Sequence, residues 1–321
     1  MSVAKKVVSY TVLSFFIAAP FLALWQRQNL YDTWRLHNYI APNSIVKLAD
    51  VTTMNPLGRK IFYVERPELQ DKETFRTNCT TSEQTIVLGC YKLGSGIFVY
   101  NVADTRLDGV QEVTAAHEML HAAYERLSSK EKDHIDTLTA AAFAKLTDDR
   151  IKKNVEAYRA KDPSVVPNEL HSILGTEVMN LSLELETYYK RYFTNRQAIV
   201  TFSEQYEAEF SNRETAIKDY DQKLSSAKTT IDKLNSSLDA QGKAIDNEAN
   251  RLQGLLSARD IASYNAGIPN YKQMIRNYNA DLAKLKSTIV VYNSDVEKRN
   301  AIVGEEQSLF NELDTRVPAT R

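Results

Sequence analysis

Hydrophobic positions in the C-terminal third of the chain recur with a period of seven. Ile217, Leu224, Ile231, Leu238, Ile245 and Leu252 form one series, with Tyr220, Ala227, Leu234 and Leu255 between them. A second series runs Ile268, Ile275, Leu282, Ile289, Val296, Val303 and Phe310, accompanied by Tyr278, Leu285, Tyr292 and Leu313. On a helix this spacing gathers one apolar stripe, so a run this long predicts a coiled coil. The two series are out of phase, and Gly267 and Pro269 lie at the break. The helix is expected to stop there and reverse, giving an antiparallel hairpin with arms of about 65–70 Å at 1.5 Å per residue. Self-association, or docking of a partner protein, is the competing use of the same stripe.

The rest of the chain carries shorter patterns. Lys5 and Lys6 precede an uncharged run over residues 7–25. At 1.5 Å per residue this run reaches about 28 Å, close to the thickness of a bilayer core. It predicts an uncleaved signal anchor, a cytoplasmic N-terminus and an extracytoplasmic body, with a cleaved signal peptide as the alternative. Residues 26–38 read as a helical stretch. Residues 45–64 contain short apolar pieces, a turn at Pro56-Leu57-Gly58 and a strand at 61–64. The β-rich runs 85–91 and 97–102, joined by Leu93-Gly94-Ser95-Gly96, read as a hairpin. Helices are predicted over 110–127, 130–146 and 148–160, and a further one begins after Pro167. Asp108 and Gln111 are spaced as a capping box for the first of these.

Together the patterns predict an α+β fold. A signal anchor (1–28) is followed by a compact domain with a β-hairpin and helices (29–200), a coiled-coil hairpin (201–315) and a short tail (316–321). Composition agrees with this picture. Only 10 glycines and 8 prolines occur in 321 residues, which favours long helices. With 40 Lys+Arg against 41 Asp+Glu, nothing marks a nucleic-acid surface. Cys79 and Cys90 are the two cysteines, and an extracytoplasmic body would join them as a disulfide.

The chemistry concentrates in His117-Glu118-Met119-Leu120-His121. Two histidines four apart on a helix share a face and can aim their imidazoles at one metal ion. Glu118, one position on, can take a proton from water beside the metal. With five histidines in the chain, a chance occurrence is on the order of one in a few hundred. Ala115, Ala116, Ala122 and Ala123 would let neighbouring backbone pack closely. His134 reads as a surface histidine.

This H-E-x-x-H pattern resembles the zincin metalloproteases. Asn168-Glu169-x-x-Ser172, followed by Gly175-Thr176, is similar to the second zinc helix of thermolysin-type gluzincins. The resemblance implies Zn2+ held by His117, His121 and Glu169, with Glu118 as general base on a peptide or protein substrate. It also implies a strand beside the zinc helix that binds substrate in extended form, for which 97–102 is the first choice. The chain departs from the pattern at Ile173, where the family tends to place an acidic residue that orients a ligating histidine. The Ser172-to-Gly175 spacing is one residue shorter, and the gap from His121 to Glu169 is longer than in thermolysin-like enzymes.

Three residues compete for the third ligand: Glu169, Glu177 and His171. Glu169 and Glu177 lie about 80° apart around a helix, so one can ligate while the other supports. If His171 does not ligate, it is a candidate catalytic donor to a developing oxyanion. Two further functional readings remain. One is a non-catalytic, membrane-tethered coiled-coil scaffold with a structural or degenerate zinc site. The other is a zinc hydrolase acting on something other than peptides.

Overall fold

A computed structural model describes residues 26–79 and 86–316. The fold is α+β, mostly helical with one small mixed sheet. It divides into two units: residues up to 207 together with those from 312 onward, and residues 208–311.

The first unit opens with three helices, α1 (Arg27–Leu36), α2 (Asn43–Val51) and α3 (Pro56–Val64). The strand expected at 61–64 is therefore the last turn of α3. Asn55 caps this helix by accepting from the Leu57 and Gly58 amides, and Pro56 occupies its first turn. Ile61, Phe62 and Val64 are then at most 3% exposed and lie against the core. The cap and proline outweighed the β propensity of a short apolar run, and Pro56-Leu57-Gly58 starts a helix instead of making a turn.

The sheet contains β1 (Glu68–Gln70), β2 (Gly89–Lys92) and β3 (Gly96–Tyr100) in the order β1-β3-β2. β2 and β3 form the expected antiparallel hairpin, with Cys90 opposite Phe98. β1, which the pattern did not predict, pairs parallel with β3. This makes β3 the central strand and leaves β2 at an edge. Between β1 and β2 lies α4 (Lys72–Asn78), whose following Cys79 is bonded to Cys90. A crosslink over so short a loop contributes about 2–3 kcal/mol in the chain-entropy view.

Helix α5 (Val110–Glu125) carries the histidine pair through the centre of this unit. The predicted Asp108 cap is not used. Gly109 takes the N-cap position at φ 102°, and Gln111 donates to the Val102 carbonyl instead. A left-handed backbone at that point suits glycine and removes the geometry a capping box needs. Ala115, Ala116, Met119, Leu120, Ala122 and Ala123 are at most 1% exposed, so the alanines permit the predicted close packing. Leu120→Ala should cost about 2–5 kcal/mol at such a site. α6 (Ser129–Phe143) begins with a capping box between Ser128 and Glu131. α7 (Asp149–Lys161), α8 (Val166–Glu177) and α9 (Leu183–Tyr189) follow. Ile151 and Val155 of α7 pack with Leu170, Ile173 and Leu174 of α8 in a second apolar cluster.

Two long helices complete the chain, α10 (Arg196–Ser257) and α11 (Ile261–Leu313). Within the second unit they run antiparallel. Phe210 meets Phe310, Asp221 pairs with Arg299, and Gln241 bonds Asp281. The reversal lies at residues 258–260 and not at Gly267 and Pro269, which sit inside α11. Arg259 turns the chain at φ 58°, and Asp260 accepts from the Ser263 amide to start the next helix. Pro269 lies two turns past the start of α11, so the helix continues through it at the cost of one i→i−4 hydrogen bond. Gly267 approaches Leu252 and Arg251 across the pair. Leu309 is fully buried, whereas Ile289 and Phe310 of the predicted stripe are 37% and 43% exposed. The end of the chain also returns to the first unit: Arg76 donates to the Thr315 carbonyl and Thr315 to the Val87 carbonyl.

Among the described residues no helix is long and apolar enough to cross a membrane. This finding stands against the signal anchor and the single-pass placement with an extracytoplasmic body. The run over residues 7–25 on which they rested lies outside the described residues.

Candidate metal centre

α5 and α8 pack against each other with their polar faces turned to one cleft. His117 and His121 lie one helical turn apart, with ring centroids 4.7 Å from each other. Glu169, in the first turn of α8, reaches between them. Its Oε2 is 3.6 Å from His117 Nε2 and its Oε1 is 3.7 Å from His121 Nε2. Ligand atoms of the three residues all lie within 4.8 Å of one another. Two ligands of a tetrahedral zinc ion at its usual bond lengths stand about 3.3 Å apart, so small side-chain movements would close these distances on one ion.

The surroundings fit a cation. Glu169 Oε2 is buried with no hydrogen-bond partner. Burial raises the Glu169 carboxyl, but the His117 and His121 imidazoles more than offset this and hold it below its ordinary range. The orientation of His121 is also fixed. Its Nδ1 lies 3.0 Å from Asn168 Oδ1 and 3.3 Å from Ser172 Oγ. With the Nδ1 proton donated to Asn168, the Nε2 lone pair is left facing Glu169. The orienting partner missing at Ile173 is therefore Asn168. The signal was its adjacency to Glu169, since the first turn of α8 faces α5 as a whole.

Glu177, the alternative third ligand, is elsewhere. Its carboxylate pairs with Arg150 at 2.8 Å, and Arg150 also meets Glu207 at 3.2 Å. His171 is not at the cleft either. It is fully buried, its Nε2 lies 2.9 Å from the Tyr188 hydroxyl, and its ring packs among Tyr124, Tyr188 and Tyr189. Burial, reinforced by the nearby His121 and His117, pushes its pKa down to about 3, so it stays neutral. A ring enclosed in this way cannot donate to an oxyanion in the cleft, and its role is to lock α8 against α9. His134 is at the surface, 3.1 Å from Glu184.

The cleft is about 540 Å³ and is walled by β2, α5 and the start of α8. Glu118 lines it and is 5% exposed. Gly89 of β2 lies directly over this side chain: a Cβ there would come within 2.8 Å of Glu118 Cγ and Oε1. Glycine is thus what lets the edge strand approach the carboxylate. The strand beside the site is β2 and not 97–102. β3 has its backbone groups paired on both sides, so it has no free edge. Hydrophobicity favoured β3 because it is the more buried strand, which is the property of a central strand. Tyr91, Tyr124, Lys132, Tyr158 and Val165 complete the walls.

No family model matches the chain, and no curated protein or solved structure does so either.

Proposed function

We propose that the chain is a zinc-dependent peptidase of gluzincin type. The observation that carries this reading is the convergence of His117, His121 and Glu169 beside a buried Glu118 in an open cleft. Two imidazoles and one carboxylate form a ligand set suited to zinc, with a coordination position left over. When bound, the ion supplies Lewis acidity, which lowers the pKa of water and polarises a carbonyl.

The chain's own residues do the rest. Glu118 is held against Gly89, adjacent to the ligands, where it accepts a proton from water and returns it to the leaving amine. Asn168 and Ser172 keep His121 in one tautomer and one orientation. The edge of β2 that β3 does not pair offers backbone donors and acceptors to an extended peptide, which aligns the scissile bond over Glu118. The paired helices α10 and α11 are read as a coiled-coil hairpin attached to a zincin-like domain.

The test is metal content and peptide hydrolysis by the full chain. About one zinc per chain is expected, with Glu118→Gln retaining the metal and losing at least 100-fold in hydrolysis. Glu169→Ala should lose the metal, and Asn168→Ala should weaken its binding about 10–100-fold. Full hydrolysis by Glu118→Gln would refute the reading.

A further inference from the structure

A second cavity adjoins the metal cleft and shares Tyr91 and Glu125 with it. It measures about 190 Å³, room for roughly half a dozen waters and so for one long side chain. Its walls come from four places: Gln28 and Tyr31 of α1, Glu65 after α3, Tyr91 and Leu93 in and after β2, and Glu125 and Arg126 at the end of α5. Burial increases inward. Leu93 at the mouth is 75% exposed, whereas Glu65 is 2% exposed and closes the inner end.

The polar atoms of this cavity are unevenly matched. Arg126 Nη1 is held by both oxygens of Asp32, at 2.9 and 3.1 Å, and Nη2 donates to Glu65 Oε1 at 3.1 Å. Glu65 Oε2 is buried and has no hydrogen-bond partner. A carboxylate oxygen in that position calls for a donor, and a charged donor most of all. Burial raises the Glu65 carboxyl above its ordinary range despite Arg126, and a further cation would reverse that. Glu125, which also pairs with Lys132 at 3.4 Å, supplies a second carboxylate, and the aromatic residues Tyr31 and Tyr91 line the cavity, a composition that suits a cation.

The position along β2 gives the cavity a register. Side chains two apart on a strand share a face, so Tyr91 follows Gly89 on the side of Glu118, about 7 Å further along. We propose that the cavity is a subsite for a lysine or arginine side chain of the substrate, about two residues from the cleaved bond. The idea rests on the peptidase reading and narrows its substrate class to peptides with a basic residue at that position.

The test separates the subsite from the chemistry. Methylguanidinium and its neutral analogue methylurea are offered to the full chain, and binding is read by saturation-transfer NMR. Methylguanidinium should bind wild type and Glu118→Gln alike, and about tenfold more weakly to Glu65→Gln; methylurea should not bind. Glu65→Gln keeps an oxygen for Arg126, and circular dichroism checks its fold. Should it not fold, Glu125→Gln, at the more open end, is expected to weaken binding about threefold. In parallel, acetylated peptides carrying lysine or norleucine at successive positions are assayed for cleavage. One position should prefer lysine about tenfold in wild type, and Glu65→Gln should remove that preference without slowing the norleucine peptide. Absence of methylguanidinium binding, or binding that ignores both substitutions, overturns the subsite whatever the hydrolysis result. Binding that depends on Glu65, with no peptide cleaved, supports the cation site and overturns the peptidase reading instead.

Discussion

Helix α5 and the long helices α10 and α11 bury themselves in different ways. α5 is covered on most of its circumference, with Ala115, Ala116, Met119, Leu120, Ala122 and Ala123 all at most 1% exposed. In the second unit the covered surface is a narrow seam. Leu234, Leu238, Leu252, Leu285 and Leu309 are its buried leucines, and most of its other positions are only half-buried. A seam spreads stability thinly over many equivalent contacts. A surrounded helix concentrates it, and also provides the low-dielectric setting in which histidines and carboxylates acquire distinct roles. The chemistry lies on the surrounded helix for that reason.

The largest expected effect tests this contrast directly. Leu120→Ala should destabilise the first unit toward the upper end of about 2–5 kcal/mol, whereas Leu234→Ala, in the narrow seam, should fall at the lower end of that range. Urea unfolding followed by hydrogen exchange, region by region, would measure both. Equal losses would show that the seam is as tightly packed as the core.

Acid should act on the first unit through His171. His171 has an ordinary pKa of 6.5 and is held at about 3 in the folded chain. Between those values the unfolded chain binds the extra proton, so stability is complete above about pH 6.5 and falls as the pH drops toward 3. The loss is on the order of 5 kcal/mol across the window. His171→Gln, which keeps a polar atom for Tyr188, should flatten that slope in chelator-treated protein. An unchanged acid transition in this variant would remove His171 as its cause.

The smallest effects compare two glycines. Gly89→Ala should lower peptide hydrolysis at least tenfold while leaving metal content near wild type, because the new Cβ meets Glu118 and not a ligand. Gly242 has open space around it inside α10, so Gly242→Ala should stabilise that helix by about 0.5–1 kcal/mol. Loss of metal from Gly89→Ala would mean that β2 supports the ligands as well as the base.

Local patterns were enough for the helical elements and for part of the site. The histidine pair and the Glu169 helix each depend on residues within a few positions of each other, and ligand atoms of the three residues lie within 4.8 Å of one another. The heptads announced two long helices for the same reason. Local pattern failed where two signals competed. Residues 61–64 have strand composition but follow a capped, proline-led helix start. Gly267 and Pro269 look like a turn, yet the chain reverses at Arg259. No membrane-crossing helix occurs among the described residues, although length and hydropathy of residues 7–25 alone suggested one.

By itself the sequence determined which residues could ligate a metal, because helical spacing fixes which side chains share a face. Tertiary structure decided which of them meet. Glu169 faces the histidines while Glu177 is taken by Arg150 and His171 is sealed among tyrosines. It also decided that the strand beside Glu118 is β2, since the pairing of β1 closes the second edge of β3 and leaves β2 at the edge of the sheet. These outcomes depend on contacts between residues far apart in the chain, and no local periodicity encodes them.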